Sequence, residues 1–222
     1  MPSQTFFNLA DEKREAIVKV ALDEFSTLDY NSASISRIVR ETGIAKGSFY
    51  QYFQDKKDLY IYLLSLVSEA KLAHLQQTPP PKAKMDFYEY LSWLFELSIE
   101  FDRIHPVFSR LAYRAFYGNS SLKDPEIEHK EKAFTDFVGQ LIVKGTLSGE
   151  IDPSIDLEMA TFTVNTLINA FNNKYVPERT GTTADALAEQ GSSSLDIEMV
   201  RNEFNKLIEI LKFGLLGKQS NR

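Results

Sequence analysis

Apolar residues recur at three- and four-residue spacing along most of the 222 positions, and no segment alternates with the period of two that marks a half-buried strand. The pattern predicts an all-α chain. A first helix over residues 9–26 places Ile17, Val20, Ala21 and Phe25 on one face and turns Asp11, Glu12, Lys13 and Glu15 toward water. Two short helices over 34–53 follow. A longer helix then starts on an acidic first turn, Asp55 and Asp58, and runs through Leu59, Leu63, Leu66 and Ala70 to about residue 76. Thr78-Pro79-Pro80-Pro81-Lys82 cannot remain helical, because proline lacks the N–H and clashes with the preceding turn.

Beyond this break, Phe87, Tyr88, Leu91, Trp93, Leu94, Phe95, Leu97 and Phe101 are too dense for one surface stripe and imply a helix buried on several sides. Pro106 opens another helix that ends at Gly118-Asn119, and a further one spans 125–144 with Ile127, Phe134, Phe137, Val138, Leu141 and Ile142. Gly149 to Pro153 reads as a turn before a helix over 155–175, and the Gly/Thr/Ser/Ala-rich stretch 180–194 reads as a loop with a turn of helix at 184–189. In the last helix Ile197, Val200, Phe204, Leu207 and Leu211 form a heptad-like seam. Such a seam wants another helix.

Residues 34–53 carry the most specific pattern. Ile35, Ile38 and Val39 fall inside while Ser36, Arg37 and Arg40 fall outside; Ser34 is placed to cap the helix with its hydroxyl, and Gly43 to end it in the left-handed conformation. Ile44 tucks under the turn. From Ala45 the second helix buries Phe49 and Phe53 and leaves Lys46, Ser48, Tyr50 and Gln51 to a partner. This is a helix-turn-helix, the arrangement whose second helix enters the major groove of DNA.

A net charge of −6 taken alone argues against a nucleic-acid partner. Its distribution reverses the argument: between Ser34 and Lys57 stand Arg37, Arg40, Lys46, Lys56 and Lys57 against Glu41 and Asp55, a local excess of +3 that leaves −9 elsewhere. The chain has no cysteine, and its histidines, His74, His105 and His129, are too scattered for ligand spacing, so neither a metal nor a cofactor is expected. The longest apolar stretch, 59–67, includes Ser65 and is too short to span a bilayer, and the start of the chain has no basic-then-apolar leader, so a cytoplasmic protein is expected. No nucleophile elbow, phosphate-cradling glycine loop or His-Glu-x-x-His motif is present, so no enzyme is expected.

Lys46-Gly47-Ser48-Phe49-Tyr50, with Phe53 and Lys56 downstream, resembles the recognition-helix signature of TetR-type transcriptional regulators. The likeness begins at Arg14, Ile17, Ala21, Phe25 and Tyr30 and runs to about Leu64. It implies an N-terminal DNA-binding head, here 1–57, and a C-terminal effector-binding and dimerisation body, 58–222, with about nine helices in all. Two departures are Ala33, where the family usually has threonine, and Ala45, where it has a capping serine or threonine; they predict the loss of one phosphate or cap contact.

Ser34, Arg37, Lys46, Gly47, Ser48, Tyr50, Gln51, Tyr52 and Lys56 form the candidate DNA-binding set. Within it, Lys46, Tyr50, Tyr52 and Lys56 face phosphates, Lys46, Ser48, Gln51 and Arg37 read bases, and Gly47 lets the backbone approach closely. The resemblance also implies a small apolar or aromatic effector in the body, for which Trp93, Phe108, Arg110, Tyr113, Phe116, Phe137, Phe162, Phe171, Asn165 and Asn169 are candidates. Thr161, Asn165, Asn169 and Asn172 share one helix face, and their polar groups need a ligand, a second subunit or water. A homodimer through the last two long helices is expected, its interface carrying Ile197, Val200, Phe204, Leu207 and Leu211. The expected function is a repressor released from a near-palindromic operator by its effector. The rivals are a ligand-sequestering protein with a decayed head, suggested by Ala33, Ala45 and the acidic total, and a protein-interaction module.

Overall fold

The computed structural model describes residues 1–117, 125–181 and 196–214, and these are helical almost throughout, with no strand among them. In chain order the helices are α1 (Gln4–Phe7), α2 (Asp11–Thr27), α3 (Ile35–Thr42), α4 (Lys46–Tyr52), α5 (Lys56–Gln77), α6 (Phe87–Ile104), α7 (Pro106–Tyr117), α8 (Pro125–Leu147), α9 (Leu157–Ala170), α10 (Val176–Thr180) and α11 (Ile197–Phe213). A π-helical turn, Phe171–Tyr175, joins α9 to α10. Pro177 cannot donate the bond that an unbroken helix requires, and the run widens just before it. The proline break falls where the sequence places it, after Gln77. The predicted helix end at Gly118-Asn119 and the helical turn at 184–189 lie outside the described residues.

Four helix starts share one device. Asp55, Asp86, Asp156 and Asp196 each accept a bond from the backbone N–H three residues on, and Glu89 completes a reciprocal capping box with Asp86. Ser34 departs from expectation: it occupies the N-cap position of α3, but its hydroxyl makes no capping bond. Its N–H is instead taken by Glu24 Oε1 at 2.7 Å.

Two apolar cores organise the chain. The first gathers Phe6, Ile17, Phe25, Ile38, Phe49, Phe53, Leu59 and Leu63 with Leu111, Ala112 and Ala115, so α7 closes the core of the head. Arg114 fastens this contact by donating from Nε to the Ser26 carbonyl at 3.0 Å. Each large side chain buried here contributes about 1.5–3 kcal/mol.

The second core joins α6, α8, α9 and α11 through Phe87, Leu91, Val138, Ile142, Val164, Phe171, Val200, Phe204 and Ile208. Phe204 stacks on Phe95 with ring centroids 3.8 Å apart. This corrects two positions of the predicted dimer seam. Val200 and Phe204 are buried inside the protomer, and Leu207 and Leu211 pack against the same core, because the dense aromatic face of α6 supplies the helix that the seam required. Salt bridges Arg201–Glu96 (2.5 Å) and Lys212–Asp86 (2.9 Å) hold α11 on α6.

Among the described residues, α8 and α9 carry a run of exposed apolar side chains. Phe134, Val143, Leu147, Leu157, Met159 and Phe162 are all exposed, Phe162 by 63%. Between the two helices runs a groove of about 830 Å³ lined by Gly139, Val143, Leu157, Phe162, Asn165 and Asn169.

Candidate nucleic-acid interface

Gly43 turns the chain from α3 into α4 with φ 66°, and the Gly43 and Ile44 N–H groups close on the Arg40 and Val39 carbonyls at 3.2 and 3.1 Å. The turn lets Ile38, Val39, Phe49 and Phe53 enter the head core together. What remains outside on α4 is a row of Lys46, Gly47, Tyr50 and Gln51, with Tyr50 51% exposed and Ser48 half-buried at its edge. A Cβ built on Gly47 meets nothing within 4 Å. Packing within the protomer therefore does not require this glycine.

Ala45 sits at the N-cap of α4 without a side-chain bond, as its identity predicts. Arg37 is drawn inward by Glu24, which is only 9% exposed; its Nε lies 3.0 Å from Oε1, the same oxygen that holds the Ser34 N–H. One buried carboxylate thus ties α2 to the start of α3.

Two members of the candidate set take other roles. Tyr52 is 5% exposed, with its ring 6.1 Å from that of Phe6, and packs in the core rather than on the open face. Lys56 turns back into the head, where its Nζ donates to the carbonyls of Tyr30, Asn31 and Ala33 at 2.8, 3.2 and 3.1 Å and lies 4.6 Å over the Tyr30 ring. All three ammonium protons are engaged within the protein. Ala33, at the expected threonine position, is buried.

A contribution from the N-terminus went unread in the sequence. Ser3 donates from N to the Tyr52 carbonyl at 2.8 Å and from Oγ to the Gln51 carbonyl at 2.6 Å, and Phe6 is fully buried beneath α4. The only signal was the Phe6-Phe7 pair, because a four-residue helix has no periodicity to detect.

The effector candidates do not converge on one cavity. Phe108 and Phe116 pack on the head core, and Phe171 lies in the second core. Trp93, beside Tyr90, lines a shallow groove with Glu96 and Lys212. Phe162, Asn165 and Asn169 face the α8–α9 groove, and Arg110, Tyr113 and Phe137 are half-buried. Aromatic density along a sequence does not say which face each ring takes. Between α5, α6 and α7, meanwhile, sit polar groups that the sequence did not flag: His74 Nε2, buried with no hydrogen-bond partner, and Asp102, whose carboxyl burial pushes above the usual range against lowering by Lys71 and the Ser109 hydroxyl.

Comparison with known proteins agrees with this architecture. Residues 17–63 match the tetR family of bacterial regulatory proteins, and residues 85–216 match the tetracyclin repressor-like C-terminal domain. A TetR family regulator from Chloroflexus aurantiacus is 38% identical, covers 96% of this chain and 97% of its own, and superposes with a TM-score of 0.72. FadR from Bacillus subtilis, solved in complex with stearoyl-CoA, shares the fold at 19% identity over 90% of this chain and 98% of its own, TM-score 0.64. The HTH-type regulator RutR of Escherichia coli K12 is 29% identical over 144 residues, which span 64% of this chain and 65% of RutR. The chain belongs to the TetR family of bacterial regulatory proteins.

Proposed function

We propose that this chain is a homodimeric, ligand-responsive transcriptional regulator of the cytoplasm, acting as a repressor on a near-palindromic operator. The observation that carries the reading is the exposed row Lys46, Gly47, Tyr50 and Gln51 on a recognition helix whose opposite face is locked into a core. Lys46 supplies charge to a phosphate, the Tyr50 phenol a hydrogen bond, Gln51 and the half-buried Ser48 reach base edges, and bare Gly47 lets the helix backbone approach. The packed head argues against the sequestering rival, since a head freed from selection has no reason to keep the Glu24 and Lys56 bonds that fasten α3 to its neighbours.

In this reading the head, 1–57, and the body, 58–222, are continuous through α5. Two copies join through the outer face of α8 and α9, which offers exposed Val143, Leu157, Met159 and Phe162 around Asn165. Asn165 is 7% exposed and spends Nδ2 on the Thr161 carbonyl, while its Oδ1 is buried without a partner. These exposed apolar side chains give the face the apolar centre that a contact between copies uses. The effector, an apolar molecule with one hydrogen-bonding group, enters between α5, α6 and α7 beside His74 and Asp102. It lowers operator affinity by preferring a state in which the heads are wrongly spaced.

Selection of duplexes from a randomised pool, followed by footprinting, tests the reading. The expected result is a near-palindrome with half-sites about 34–36 Å or a multiple apart, bound with steep salt dependence. Failure to enrich any sequence at low salt overturns it.

A further inference from the structure

The recognition helix is short and poorly started. Seven residues are too few for a helix to hold alone, and Ala45 offers no cap to the first turn. The opposite end is closed by residues that precede α2 in the chain. Ser3 N and Oγ take the Tyr52 and Gln51 carbonyls, two groups that the last turn of α4 leaves without an intrahelical donor. Phe6 is wedged behind them, its ring centroid 4.7 Å from Phe53 and 5.6 Å from Tyr62. Ser3 Oγ also caps α1 by accepting from the Phe6 N–H at 3.4 Å, so the hydroxyl and the wedge belong to one small unit.

We infer that residues 3–7 are a positioning element of the DNA interface: Ser3 and Phe6 set the axial rotation and tilt of α4, and through them the presentation of Lys46, Tyr50 and Gln51. None of these N-terminal residues needs to touch DNA. Two carbonyl bonds fix the end of the helix axis, and a ring packed under Phe53 fixes which side faces outward. The inference rests on the DNA-binding reading above.

Ser3→Pro is the informative variant. Ser3 has φ −70° and ψ 160°, values that proline adopts without strain, so the substitution removes both donors, together with the cap that Oγ gives α1, and leaves the backbone path unchanged. The probe is the duplex that the wild-type chain selects from a randomised pool, compared with a scrambled duplex of equal length. Ser3→Pro and Phe6→Ala are expected to weaken binding to the selected duplex about tenfold, the scale of one or two lost hydrogen bonds, while binding to the scrambled duplex changes little. Ser3→Thr restores the wild-type ratio. A loss shared equally by both duplexes marks a smaller folded fraction and overturns the inference. Wild-type discrimination in Ser3→Pro overturns it while leaving the DNA-binding reading intact. Absence of any selected duplex for the wild-type chain overturns both.

Discussion

Lys56 Nζ lies 2.8 Å from the Tyr30 carbonyl oxygen and 4.6 Å above the ring of the same residue, so one ammonium closes the loop that carries the chain from α2 to α3. Its remaining protons reach Asn31 and Ala33. A lysine that looks from the sequence like a phosphate ligand is in the structure the pin of the head. Lys56→Met keeps the stem and deletes the donors, and is expected to destabilise the protein by about 1.5–3 kcal/mol, the contribution of hydrogen bonds to a charged group, since the carbonyls it leaves are part-buried or exposed. Chemical denaturation measures this. Unchanged stability together with lost DNA binding would return Lys56 to the phosphate contacts.

Gly47 gives the opposite signature. Open space surrounds its Cβ direction, and alanine favours a helix interior by up to about 1 kcal/mol, so Gly47→Ala should match or exceed the wild-type melting temperature. The added methyl stands where a DNA backbone would approach, so affinity should fall. A variant that is both stable and fully competent for DNA would remove Gly47 from the interface.

These two residues illustrate what the sequence made legible. Helical period, the acidic start of α5, the proline break and the glycine turn are local signals, and each reappears at or near its expected position. The exposed positions of α4 are local too, since Phe49 and Phe53 fix which side is inside. The roles of Lys56, Tyr52 and the α11 seam depend on distant residues. No spacing within 197–211 reveals that Phe95 waits to stack on Phe204, and nothing around Lys56 reveals the carbonyls 23 to 26 positions upstream.

Phe162 tests the dimer face. It is 63% exposed on α9, beside the groove floored by Asn165. Phe162→Glu places a charge at the centre of the proposed contact, and sedimentation should show a monomer of unchanged helical content. Operator affinity should fall with it, because one head then binds one half-site. A dimer that persists at micromolar concentration would move the interface elsewhere.

Asp102 predicts a pH dependence. Burial raises its carboxyl above the range it has in the unfolded chain, so the folded state holds the proton longer, and stability drops as pH rises from the unfolded value toward the folded one. Asp102→Asn keeps an acceptor for Ser109 and removes the cost. The variant should melt at the wild-type temperature near pH 3.5 and above it at pH 7. Carboxylates held low, such as Asp86, whose burial is outweighed by the Glu89 N–H and Lys212, lose their contribution as pH falls in both proteins and cancel in the comparison. A gap that is constant with pH would point to altered packing instead.

The contact of α7 with the head has a practical corollary for engineering. Leu111, Ala112 and Ala115 complete the core built on Ile17, Phe25 and Leu59, and Arg114 reaches the Ser26 carbonyl. A chimera that grafts residues 1–57 onto a foreign body therefore inherits an unsealed wall wherever the recipient's own α7 has a different profile. Transplanting the face of α7 with the head keeps the seal, so the portable unit is discontinuous in the chain.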